Sequence, residues 1–115
     1  MTLDELLETV ASVDAHLDVA VPPVYKEQPL ARTWARVTKV LSEGAEAMDE
    51  LSAITGENFR KGVHSTEDHL CAELGDCVTA SLGALFHLLK DPDQVWEYVC
   101  RSAVKGRARV ETDMR

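Results

Sequence analysis

An all-α fold follows from three features of the 115-residue sequence: apolar residues recur with a period near 3.6 in four segments, capping residues stand where those segments begin, and no stretch alternates convincingly enough for a strand. The last three segments are joined by short connections, which implies a four-helix bundle. A chain of this length forms one domain, residues 1–115, with a core that needs no disulfide or metal staple.

The first helix is expected over about residues 2–17. Thr2 and Glu5 have capping-box spacing, and Leu3, Leu6, Leu7, Val10, Val13 and Leu17 follow at helical intervals. Pro22, Pro23 and Pro29 then forbid a continuous helix, so VAVPPVYKEQP, residues 19–29, forms a connection, ordered by packing of Val21, Val24 and Tyr25. A long second helix runs from Leu30 to Thr55. Its stripe is Trp34, Val37, Val40, Leu41, Ala45, Met48, Leu51 and Ile54, and Gly56 stops it. The segment GENFRKGVHS, residues 56–65, reads as a loop. Ser65 or Thr66 caps a third helix striped by Leu70, Leu74, Cys77, Val78, Leu82, Leu85 and Leu89, ending near Lys90. Asp91 and Pro92 are an N-cap and N1 pair for a fourth helix. Val95, Trp96, Val99, Cys100, Ala103 and Val104 mark its inner side, with Trp96 in the core, and it should fray near Gly106.

Composition removes several function classes. Hydrophobic residues are 45% of the chain and charged residues 28%, with no apolar run near the roughly 18 residues a membrane span needs. The acidic, amphipathic start MTLDELLETV is unlike a secretory signal, so the expected location is cytoplasmic. Net charge is -8, which repels DNA and RNA and disfavours any polymeric nucleic acid as partner. The charge is uneven: residues 65–100 carry -6, while residues 101–115 carry +3. Cys71, Cys77 and Cys100 contain no CxxC pair and fit reduced thiols.

The carboxylates carry the chemistry. Helical spacing places Glu43, Glu46 and Glu50 along one side of the second helix and makes Glu73 and Asp76 neighbours on the third. Like charges one turn apart cost a helix roughly 0.2–0.5 kcal/mol per pair, so they are either fully solvated or neutralised by a cation. Two helices that each present such a pair could hold one or two Mg²⁺ ions, with phosphate oxygens completing the shell. Glu73 and Asp76 lie in the apolar stretch HLCAELGDCVTASLGALFHLL and are expected to be partly buried.

Glu43-x-x-Glu46 followed after 26 residues by Glu73-x-x-Asp76 resembles the signature of the MazG-like nucleoside triphosphate pyrophosphohydrolases, the all-α NTP pyrophosphatase superfamily. AELGD at residues 72–76 is similar to that family's second motif, and TGENFRKG at residues 55–62 to a Gly-x-Asn-x-Arg-Lys-Gly loop of some members. The likeness covers about residues 31–109. Ser42 and Phe59 depart from it, standing where relatives often carry an acid and a proline. The resemblance implies a MazG-like bundle whose catalytic core is residues 30–109, and Mg²⁺-dependent cleavage of a (d)NTP to (d)NMP and pyrophosphate. Glu43, Glu46, Glu73 and Asp76 would then be the catalytic metal ligands, with Mn²⁺ a substitute for Mg²⁺. It also implies a homodimer or homotetramer. Two alternatives are a phosphoribosyl-ATP pyrophosphohydrolase-like enzyme, and a non-catalytic helical oligomer in an accessory or regulatory role.

Several residues suit substrate contact. Arg60 and Lys61, with Asn58, lie in the glycine-flanked loop between the two carboxylate helices, where cations reach phosphates or are plain surface charges. Lys105 and Arg109 offer a second cationic wall or a complement to the helix dipole. Trp34 stands nine residues before Glu43, a spacing compatible with base stacking or with core packing. His64, His69, Cys71 and Cys77 fit no common zinc spacing, and His16 and His87 carry no functional signal.

Overall fold

The computed structural model describes residues 1–20, 28–57 and 62–114, which form four helices. They are α1 (Leu3–Ala20), α2 (Pro29–Thr55), α3 (Glu67–Leu89) and α4 (Pro92–Asp113), and no strand occurs among the described residues. The expected packing of Val21, Val24 and Tyr25 lies outside them.

Each helix begins and ends for a local reason. At α1 the Thr2 N–H donates to Glu5 Oε2 at 3.1 Å and the Glu5 N–H to Thr2 Oγ1 at 3.2 Å, closing the capping box. α2 starts on a proline and stops at Gly56, whose φ of 69° is a left-handed conformation that glycine adopts without strain. Thr66 is the cap of α3, accepting from the His69 N–H at 3.3 Å, and Asp91 caps α4 by accepting from the Asp93 N–H at 2.9 Å. Lys90 ends α3 with φ at 56° although it is not glycine. That conformation costs about 1–2 kcal/mol, and ion pairs from the Lys90 ammonium to Asp14 and Asp18 offset it.

α1 outruns its expected end by three residues, and α4 continues well past Gly106 to Asp113. Gly106 is only mildly unfavourable in a helix, and an Arg107–Glu111 pair one turn apart supports the last turns.

The core lies among α1, α3 and α4, where Leu7, Val10, Leu82 and Val95 are buried and Leu6, Leu85, Phe86, Leu89 and Val99 pack around them. α2 lies most extensively against α3, with the small residues Ala47 and Ala53 buried on it. Small side chains permit that close approach, and it is this pairing that faces the two carboxylate motifs toward each other.

Much of the expected core is exposed among the described residues. Trp34, Leu41, Met48, Leu74, Val78 and Trp96 are exposed, so Trp96 is not the core residue its periodicity suggested. Every described residue from Arg101 to Met114 is exposed as well. The Cα radius of gyration is 17.5 Å, against about 13 Å for a compact domain of this length. The physical reason is arithmetic of faces: three helices share one small core, which among the described residues leaves the outer stripe of α2 and the distal half of α4 uncovered.

Candidate metal centre

α2 presents Glu43 and Glu46 one turn apart, and α3 presents Glu73 and Asp76 opposite them. Carboxylate oxygens of Glu43, Glu73 and Asp76 lie within 4.8 Å of one another. Glu46 is exposed but close enough to hydrogen-bond with Glu43 and Glu73 when it holds a proton. Three of the four residues of the two motifs therefore meet, with Glu46 beside them. The burial is distributed differently from expectation: Glu43 is 6% exposed, Glu73 is half-buried and Asp76 is exposed. Glu50, on the same side of α2 by spacing, serves elsewhere and accepts a hydrogen bond from Ser65 in the connection to α3.

The electrostatics are those of crowded like charges. Hydrogen bonding with Glu43 and repulsion from it, then burial, then the same interactions with Glu73, raise the Glu46 carboxyl above its ordinary value. Glu43 is lowered, first by the hydrogen bond from Lys39 and then, against the opposing effect of burial, by that from Glu46. With Glu46 ionised, Glu43 Oε2 and Glu73 Oε2 are buried with no hydrogen-bond partner. Buried carboxylate oxygens without a donor are costly, and an all-oxygen donor set of this charge suits a hard divalent cation. The residues present thus fit such an ion.

A cavity of about 350 Å³ opens beside the centre. Glu43 and Asp76 form part of its wall, with Val13 and Leu17 from α1, Thr79, Ala80 and Gly83 from α3, and Arg36, Lys39 and Asp14 completing it. It is mostly apolar with a few charged groups converging on it, the usual chemistry of a small-molecule site. The ammonium of Lys39 lies 2.6 Å from Glu43 Oε1.

Of the residues expected to touch substrate, Trp34, Lys105 and Arg109 are not gathered here. Trp34 is exposed and borders a separate hollow with Leu30, Thr33 and Val37 that shares no residue with the cavity. Within one chain, then, neither core packing nor a base-stacking position beside the carboxylates describes it. Lys105 and Arg109 are on the exposed distal part of α4, and among the described residues neither pairs with any of the four carboxylates. Asn58, Arg60 and Lys61 lie outside the described residues.

Sequence reasoning missed a second cluster. Asp14 is 2% exposed, and its carboxylate accepts from Lys90 Nζ at 2.6 Å, His87 Nδ1 at 3.2 Å and Arg36 Nε at 3.3 Å. Asp18 accepts from Arg36 at 3.1 Å and Lys90 at 3.3 Å, and Arg32 stands 3.7 Å away. Asp14, Asp18 and His87 have metal-ligating atoms close together, but these are already engaged by cations of the chain. The group is a clamp joining α1, α2 and α3. Burial would raise the Asp14 carboxyl, yet the hydrogen bond and charge of Lys90, the charge of His87 and the hydrogen bond of Arg36 outweigh it and hold it below the ordinary value. One signal was available: Asp14 interrupts the apolar stripe of Val10 and Leu17, where an acid needs a partner. His87 and Lys39 carried none, because their roles depend on groups from other helices or on the burial of a neighbour.

His64, His69, Cys71 and Cys77 do not assemble into a metal-binding group among the described residues. No helix among those residues is long and apolar enough to cross a membrane. Comparison with protein-family models, curated proteins and solved structures returned no match for this chain.

Proposed function

We propose that the chain is a Mg²⁺-dependent nucleoside triphosphate pyrophosphohydrolase of MazG-like type, cleaving a (d)NTP to (d)NMP and pyrophosphate in the cytoplasm as nucleotide-pool clean-up. One observation carries the reading: the two carboxylate motifs, 26 residues apart in sequence, bring oxygens of Glu43, Glu73 and Asp76 within 4.8 Å, with Glu46 beside them. Either motif alone would be an ordinary acidic helix face.

Glu43, Glu46, Glu73 and Asp76 would hold the cation, which when bound supplies charge neutralisation on the phosphates and an activated water. Mn²⁺, with the same preference for oxygen, would substitute. The adjoining cavity is of a size for the nucleoside portion, its apolar walls from α1 and α3 excluding water while Arg36 and Lys39 offer positive charge. In the reaction, water adds at the α-phosphorus and the bond to the β-phosphate bridging oxygen breaks, so charge accumulates on the leaving pyrophosphate. The loop cations Arg60 and Lys61, with Asn58, would meet that charge.

The same reading includes a homodimer or homotetramer. Leu30, Trp34, Leu41 and Met48 form an exposed row on α2, an arrangement that a second copy of the chain covers economically. Lys105 and Arg109, exposed and, among the described residues, not paired with the four carboxylates, become available to a neighbour in such an assembly.

Pyrophosphate release from a nucleotide panel with Mg²⁺, abolished by EDTA, is the expected result. A protein that binds Mg²⁺ but releases pyrophosphate from none of the nucleotides would refute the enzymatic reading.

A further inference from the structure

Lys39 stands one turn before Glu43, and the two side chains differ sharply in exposure, 61% for the lysine and 8% for the glutamate. The ammonium can therefore return to water at little cost, while the carboxylate it leaves cannot. Its charge also acts on Glu46 and Asp76. Among the described residues Lys39 is the cation that pairs with Glu43, one of the four carboxylates. A divalent cation that takes Glu43 oxygens must meet this ammonium at contact distance, where like charges repel strongly even with protein screening. Lys39 also lines the cavity bordered by Glu43 and Asp76, with Arg36 on the same wall. A displaced ammonium has the mouth of that cavity within reach of its flexible four-carbon stem.

We propose that Lys39 is the exchangeable counter-ion of the carboxylate centre: it competes with the divalent cation for Glu43, and once displaced it binds the anionic phosphates of the ligand in the adjoining cavity. The identity of that anion, a polyphosphate, rests on the pyrophosphohydrolase reading. A cation at the cluster has independent support, because Glu43 is more than nine-tenths buried and its Oε2, like Glu73 Oε2, has no partner. An ordinary exposed pair one turn apart would do neither job.

The test uses the full chain, Lys39→Met and Lys39→Arg, with folding checked by circular dichroism. Calorimetry reads Mn²⁺ alone, then inorganic tripolyphosphate added to protein saturated with Mg²⁺. Loss of the competing ammonium should tighten Mn²⁺ binding about 3- to 5-fold. Loss of a charge-assisted contact should weaken tripolyphosphate about 10-fold. Lys39→Arg should restore both toward wild type, which a merely structural lysine would not require. Looser Mn²⁺ binding in Lys39→Met, or unchanged tripolyphosphate affinity whatever the metal does, overturns the proposal. Wild-type protein that binds no Mn²⁺ overturns the pyrophosphohydrolase reading itself, whereas Mn²⁺ binding that is the same in wild type and Lys39→Met overturns only the role of Lys39.

Discussion

Asp14→Asn removes one negative charge from the most buried acid among the described residues and leaves its shape. The cost follows from what the partners can do afterwards. Lys90 is half exposed and regains water, but the side chains of Arg36 and His87 are 12% and 10% exposed and cannot. Breaking a buried ion pair from one side costs 3–5 kcal/mol in general, and Asp18 retains contacts to Arg36 and Lys90, which sets the expected loss near the lower end, about 3 kcal/mol. That is a large share of the roughly 5–15 kcal/mol available to a domain. Urea denaturation at pH 7, followed by far-ultraviolet circular dichroism, measures it. Asp18→Asn, at a more solvated site, should cost about 1 kcal/mol. The pH dependence has a definite sign. The folded-state pKa of Asp14 lies below its ordinary 3.8, so its contribution is present above that value and is lost as pH falls through the lowered folded-state value. The stability gap between wild type and Asp14→Asn should therefore be level near neutral pH and narrow only below about 4. A gap under about 0.5 kcal/mol at pH 7 would refute the clamp, since that is the range of unremarkable surface changes.

Four further outcomes are expected. Glu46 has a raised carboxyl, so its contribution worsens as pH rises through that value; Glu46→Gln should raise the metal-free melting temperature at pH 7 while shrinking the increase produced by Mg²⁺. Asp76→Asn should also shrink that increase and lower pyrophosphate release by at least about 100-fold, and equal Mg²⁺ stabilisation in both variants and wild type would return the carboxylates to solvated surface. Replacing Arg60 and Lys61 together with Ala should raise KM for the triphosphate without altering the melting temperature, and unchanged steady-state kinetics would remove them from the site. Leu41→Lys should dissociate the oligomer in light scattering, because it puts a charge in the middle of the exposed row on α2; a wild-type chain that already scatters as a 12.7 kDa monomer at all concentrations contradicts the covered face.

The four helices, their starts and the stops of α2 and α3 were legible in sequence because the causes are local, whereas the ends of α1 and α4 were not. A capping box needs Thr2 and Glu5 three residues apart, a helix stop needs Gly56, and a start needs Asp91 before Pro92; each is satisfied within one turn of chain. The pairing of Glu43 and Glu46 on one helix, and of Glu73 and Asp76 on another, was legible for the same reason. Tertiary structure decided what local spacing cannot carry. Which sides of α2 and α3 meet is set by Ala47 and Ala53 admitting a close approach, and only that meeting brings Glu43 to Glu73 and Asp76. Periodicity marks an apolar stripe but not what covers it, so Trp34 and Trp96 carry the same signal as the buried Val95 and yet stand in solvent. Asp14 and His87, 73 residues apart, acquire their roles only from each other and from Arg36 and Lys90, because an ion pair depends on distance in space and burial, neither of which is written in the order of residues.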